Sequence, residues 1–287
     1  MGKRILTAVV GIAIGVIIVF FLNHTLVYPI VVAAIAMGSV HEILTACDAG
    51  FKKFPVHYIW CQIFAALIPM MSWFDQISYA WKLFAACVIV FLLFAGFVAD
   101  NKKLSFSKLS IMVTVTCLVT LSTNCLISLI KLDPVHGVCY VVMSLMAAWV
   151  PDGGAYFVGS ALGKHKMCPE ISPKKTWEGA VGGVIITAVV FIIYCTVYRM
   201  VQASRGYDFT INYFLPTVMV MIAAVISIFG DLSASLIKRE YGMKDYGSIF
   251  PGHGGFADRF DSVYFVPPFI LFAFTAFGGK IFVSSIA

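Results

Sequence analysis

Charge is what this sequence has little of. Only 12% of its 287 residues are Asp, Glu, Lys or Arg, against roughly a quarter in ordinary soluble domains. With 61% hydrophobic residues and a mean hydropathy of +0.95, composition excludes a water-soluble enzyme or binding module. No nucleic acid is expected as a partner. The eight cysteines contain no CxxC pair and most lie inside apolar runs, which argues against a disulfide framework and against a cysteine-built metal site. There is no GxxxxGK[ST] loop, so a Walker-type phosphate cradle is excluded. Internal repeats and low-complexity linkers are also missing. The apolar runs are continuous rather than alternating, which argues against a closed barrel.

What remains is an all-α, polytopic membrane protein. A helical span needs ~20 mostly apolar residues. About nine such runs are present, near Ile5–Leu22, Leu26–Leu44, Pro55–Met71, Ala80–Val98, Leu109–Ile130, Val138–Val150 running on toward Leu162, Ala180–Tyr198, Tyr213–Ile237 and Ser262–Phe282. The first has a basic start but no clear small-residue cleavage site, so it reads as a retained helix. With the N-terminus cytoplasmic, fifteen of the twenty Lys and Arg residues fall on the cytoplasmic side, as the positive-inside rule requires. The net charge of +6 is then mainly an inner-face charge, suited to anionic lipid or a phosphorylated cytosolic substrate.

The chain divides into a scaffold half, residues 1–135 with about five helices, and a working half, residues 136–287 with about four helices and two long cytoplasmic segments. In the second of these segments, Asp258 and Asp261 stand at i and i+3, so a helix starting near Phe256 puts both carboxylates on one face of its first turn. Like charges at that distance resist ionising together without a cation. A divalent metal and plain helix capping with neutralisation by Arg259 or Lys244 both answer the pattern. Asp231 lies inside the eighth apolar run, where a carboxylate is a functional hypothesis by default, the alternative being a pairing with Lys238 two turns on. "PGHGG" supplies a turn whose N–H groups suit an anion, with His253 as a donor or merely exposed. The first segment holds "GSALGKHK" and "SPKKTWEG". There Ser172 and Pro173 ahead of the seventh run signal a helix N-terminus that welcomes phosphate, with Lys174 and Lys175 adding charge, unless this is only a topological loop.

The stretch from Ser235 to Asp261, with Lys238-Arg239, Lys244-Asp245, Gly247, Pro251, His253-Gly254-Gly255, Asp258-Arg259 and Asp261, resembles the signature of the phosphatidate cytidylyltransferases, or CDP-diacylglycerol synthases. A second element of that family matches at Asp152, Ala155, Tyr156, Gly159, Gly163, Lys164, Ser172 to Thr176, Glu178 and Gly179, with Ser160 where relatives often carry Arg. The resemblance implies transfer of CMP from CTP to phosphatidate, giving CDP-diacylglycerol and pyrophosphate, with Mg²⁺ as cofactor. It implies metal ligation by Asp231, Asp258 and Asp261, and lipid phosphate or pyrophosphate binding by Lys238, Arg239, Lys244 and Arg259. CTP binding would fall to Asp152, Lys164, Ser172, Lys174, Lys175 and Thr176, with His253 beside them, and the family suggests a homodimer. The competing readings are a CTP-dependent enzyme acting on another polar lipid and a cation transporter, which also keeps intramembrane carboxylates. His41 with Glu42, and Thr123 with Asn124, are read as makers of interhelical hydrogen bonds.

Overall fold

The computed structural model describes residues 2–207, 209–250, 254–277 and 282–284. In chain order the elements are α1 (Gly2–Phe21), α2 (Val27–Ala46), α3 (Pro55–Trp73), α4 (Tyr79–Ala99), α5 (Phe106–Leu132), α6 (Gly137–Leu162), β1 (Lys166–Cys168), β2 (Ser172–Thr176), α7 (Trp177–Ser204), β3 (Phe209–Ile211), α8 (Phe214–Glu240), α9 (Phe256–Phe260), a 3₁₀ turn (Ser262–Tyr264), α10 (Val266–Phe277) and β4 (Phe282–Ser284). Among the described residues, the seven helices α2 to α8 are long and apolar enough to cross a membrane. Their apolar character runs around the whole helix, which suits lipid on one side and protein on the other. On α4 only Ile89 and Leu93 are buried while Phe91, Phe94 and Val98 are exposed. This helix therefore lies at the lipid-facing edge.

The all-α expectation needs correction in two places. Residues Ser172–Thr176 do not open a helix but form β2, paired antiparallel with β1 through Lys166↔Thr176 and Cys168↔Ser172. The helix start falls later because Thr176 is the better cap. Its hydroxyl accepts from the Gly179 N–H at 3.2 Å, a bond worth ~1 kcal/mol, and Pro173 sits comfortably in a two-stranded edge. The last apolar run is also not one helix. Residues Ser262–Phe277 form the 3₁₀ turn and α10 only, and β4 pairs with β3, Ile211 facing Phe282.

Two buried clusters hold the bundle together. One joins Tyr28 and Val32 of α2 to Ile127 of α5, Met143 of α6, Phe191 of α7 and Ile270 of α10. The other joins Val40 and Leu44 of α2 and Met112 of α5 to Ala257 of α9 and Tyr264. The N-terminal helices thus pack directly beneath the segment that carries Asp258 and Asp261. A buried Ser122 hydroxyl on α5 also donates to the Tyr264 carbonyl.

Helices α6 and α7 meet through glycines, which lets backbone approach backbone. A Cβ placed on Gly183 would stand 2.5 Å from the Pro151 carbonyl oxygen, and one on Gly179 would stand 2.8 Å from that of Ala155. Neither oxygen belongs to a flexible side chain, so the helices themselves would have to part. Gly183→Ala is expected to lower stability by about 1–3 kcal/mol, whereas Gly153→Ala, whose Cβ meets nothing, should be neutral or mildly stabilising. Thermal unfolding of both variants in detergent checks this, and equal shifts would contradict the packing argument.

Candidate active site

The β1–β2 hairpin places a lysine among carboxylates. Lys175, next to last in β2, has its Nζ 2.5 Å from Asp231 Oδ2 and 3.4 Å from Asp152 Oδ1. Asp152 follows the helix-interior Pro151 in α6, and Asp231 follows Gly230 in α8. At Gly230 a side chain would collide with the Phe265 ring at 2.9 Å. The hairpin is tied down from both ends. Glu178, in the first turn of α7, accepts from the Lys164 N–H at 3.1 Å and from His165 Nδ1 at 2.5 Å. At the turn, Arg239 Nε reaches the Ile171 carbonyl at 3.5 Å.

A second lysine stands in a second group of acids. Lys238 in the last turn of α8 is buried, its Nζ 3.1 Å from Asp258 Oδ1 and 4.0 Å from Asp261 Oδ2. It also lies over the Tyr246 ring, 5.2 Å from the centroid, a cation–π contact. Asp258 organises the loop before it: its Oδ2 accepts from the N–H groups of Tyr246 at 2.8 Å, Gly247 at 3.3 Å and Gly255 at 3.0 Å. Gly254 has φ +81°, and a Cβ there would stand 2.7 Å from Asp258 Oδ2, so only glycine fits. Asp261 accepts from the Ser262 N–H at 2.8 Å.

Each candidate segment therefore supplies one lysine to its own pair of carboxylates, Lys175 to Asp152 and Asp231 and Lys238 to Asp258 and Asp261. The Asp231 to Lys238 pairing weighed above does not form, because Lys175 takes Asp231 and Lys238 turns to Asp258 and Asp261. The capping reading of Asp258 is realised in part, through its bond to Gly255. Lys164, Lys174, Arg239, Lys244 and Arg259 are exposed, Ser172 is half-buried, and Thr176 is buried as the cap of α7. His253 lies outside the described residues. Among the described residues no three His, Cys, Asp or Glu side chains stand close enough together to hold a metal ion. The charges of Asp231 and Asp152 are both felt at Asp261, so these hard oxygen donors stand within electrostatic reach of one another. One site residue escaped the sequence reading: Glu42 of α2, whose Oε2 accepts from the Ala257 N–H at 2.9 Å. The signal was an acid within an apolar run.

The chain matches the model of the Cytidylyltransferase family over residues 2–277. It belongs to that family. It is 32% identical to a phosphatidate cytidylyltransferase of Bacillus subtilis over 96% of this chain and 98% of the relative. It is also 40% identical to one of Staphylococcus haemolyticus over 47% of this chain and 48% of the relative, and 39% identical to one of Haemophilus influenzae over 48% and 46%.

In this family member the electrostatics follow from the packing. Burial disfavours the charged form of Lys175, but Asp231 and Asp152 outweigh it and hold the ammonium above the ordinary lysine pKa. Burial, then the nearby Asp231 charge, push Asp261 from the ordinary 3.8 up to about 7 against the pull of Lys238. Between those two values the folded chain holds a proton that the unfolded chain has lost, so stability falls as pH rises through that window. In chelator, the unfolding temperature is expected to drop from about pH 5 to about pH 7, with a shallower slope in Asp261→Asn. An unchanged slope would contradict the assignment.

Proposed function

We propose that this protein is a phosphatidate cytidylyltransferase that makes CDP-diacylglycerol from CTP and phosphatidate. The observation that carries the reading is the contact of Lys175 with Asp231 and Asp152. It joins the basic hairpin to Asp152 of α6 and Asp231 of α8, while Arg239 of the second motif segment reaches the Ile171 carbonyl at the hairpin turn, so the two segments that resemble the family's motifs lie side by side. A polyanion on either side would find a lysine already in place.

The reaction asks little covalent chemistry of the protein. A phosphate monoester has a second pKa near ~6, so the lipid phosphate is largely dianionic at neutral pH and needs no protein base. One of its oxygens attacks the α-phosphorus of CTP, a new P–O bond forms, and the bond from the α-phosphorus to the bridging oxygen breaks to release pyrophosphate. Catalysis then rests on positioning and charge neutralisation. Lys175, with the exposed Lys164 and Lys174 around it, is suited to the triphosphate. Thr176 keeps the hairpin seated on α7, and Ser172 and Asp152 flank the same entry. Lys238, Arg239, Lys244 and Arg259, all from the second segment, are suited to the lipid phosphate or the leaving pyrophosphate.

Magnesium, implied by the resemblance, fits the donor chemistry here. Mg²⁺ is commonly held by one or two carboxylates with substrate phosphates and water completing the shell. Asp231 and Asp261 offer such oxygens, while Asp258 has its own largely committed to Lys238 and the loop. When bound, the ion would supply charge neutralisation at the reacting phosphates. We place the site at the cytosolic face of a cell membrane, with the N-terminus cytoplasmic, nine membrane segments counting the short Ser262–Phe277 stretch, and a homodimer as the resemblance suggests.

Pyrophosphate release by the purified protein in detergent, with CTP, Mg²⁺ and phosphatidate each omitted in turn, tests the reading. All three are expected to be required, and Asp231→Asn is expected to lower the rate by about 10²-fold or more. Release without phosphatidate, or none from folded protein, would overturn it and direct attention to other lipid acceptors or to cation flux.

A further inference from the structure

We infer that Glu42, on the second helix, is a positioning residue of the active site, holding the backbone at Gly247 and at Gly255–Ala257 that also carries Asp258. The inference rests on the transfer reaction proposed above. Glu42 is only 4% exposed and lies 215 residues from the backbone N–H that it accepts, that of Ala257. Its other oxygen, Oε1, is buried with no hydrogen-bond partner. Oε1 lies against Gly247 and both oxygens lie against Gly255, where any Cβ would overlap the carboxylate. Those two glycines are also the ones whose N–H groups are given to Asp258 Oδ2. Two carboxylates from distant parts of the chain therefore grip the same backbone. One turn earlier on α2, Gly38 fits against the Phe256 ring, which a Cβ would meet at 2.7 Å, so the helix and the segment are matched in shape as well as in hydrogen bonding.

A stability role explains this poorly. A buried carboxylate with an idle oxygen is costly in a protein interior, and an apolar side chain would fill the place at lower cost. Position explains it better. Asp258 sits one residue after the amide that Glu42 holds, and Asp258 in turn fixes Lys238. A shift of the segment by an ångström would displace both charges, and displacements of that size cost about 10²-fold in rate.

The test compares full-length wild type, Glu42→Ala and Glu42→Gln in detergent, by hydrogen exchange of peptides covering residues 254–262 and by kcat and KM for pyrophosphate release. In Glu42→Ala we expect that segment to exchange about tenfold faster or more with peptides of α6 and α7 unchanged, and kcat to fall about tenfold or more with KM for CTP within about twofold. Glu42→Gln keeps an acceptor oxygen and should restore both properties to within about threefold. Unchanged exchange in Glu42→Ala, unchanged kcat despite faster exchange, or faster exchange across the whole protein would each overturn the inference. If wild type releases no pyrophosphate from CTP and phosphatidate, it is the reaction that fails, and the exchange data still judge the hold of Glu42 on the segment.

Discussion

Four carboxylates, on α6, α8 and α9 and at the end of α9, are held in two pairs, each by one lysine ammonium. Removing charges from water costs several kcal/mol per ion, and attraction between them repays this only when geometry is good and the remaining lone pairs are satisfied. The structure answers this by bringing Lys175 in on a hairpin and Lys238 on the last turn of α8, with the lone pairs of Asp258 filled by the loop. Much of the surrounding architecture follows. The hairpin needs Thr176 to cap α7 and Glu178 to hold Lys164 and His165. The loop before α9 needs glycine where its backbone closes over Asp258. The N-terminal helices supply the floor on which this loop rests.

Such a cluster is a weak device for stability and a good one for exchange. Ammonium groups already paired with carboxylates can be offered to phosphates, while the carboxylates they leave become available to a cation. The membrane setting explains the arrangement. A water-borne triphosphate and a lipid-borne phosphate repel one another, and they share only the interface between water and bilayer. Lys164, Lys174, Arg239, Lys244 and Arg259 are exposed, whereas Lys175 is half-buried and Lys238 buried, so the basic residues of the two segments range from solvent to the interior.

The long apolar runs were legible because in lipid every backbone group must bond within its own helix, so length and hydrophobicity alone locate α2 to α8. The two chemical segments were legible because charge is scarce elsewhere. What was not legible depended on contacts between distant residues. Pro173 suggested a helix start, but pairing with β1 and the cap at Thr176 decided the local structure. The apolar run after Ser262 gave no sign that Phe282–Ser284 would pair with Phe209–Ile211. Asp231 and Lys238 lie two turns apart on one helix, yet each found its partner elsewhere. Glu42 was legible as a maker of an interhelical hydrogen bond, but its partner at Ala257, 215 residues on, was not. His41 beside it does make an interhelical bond, to Tyr58 at 2.6 Å.

The most direct test of the account is a crystallographic anomalous difference map of the full-length protein grown with Mn²⁺ and a non-hydrolysable CTP analogue. The account predicts a manganese peak between Asp231 and Asp261, with the triphosphate against Lys175. A peak remote from these carboxylates, or a nucleotide bound away from the hairpin, would contradict it.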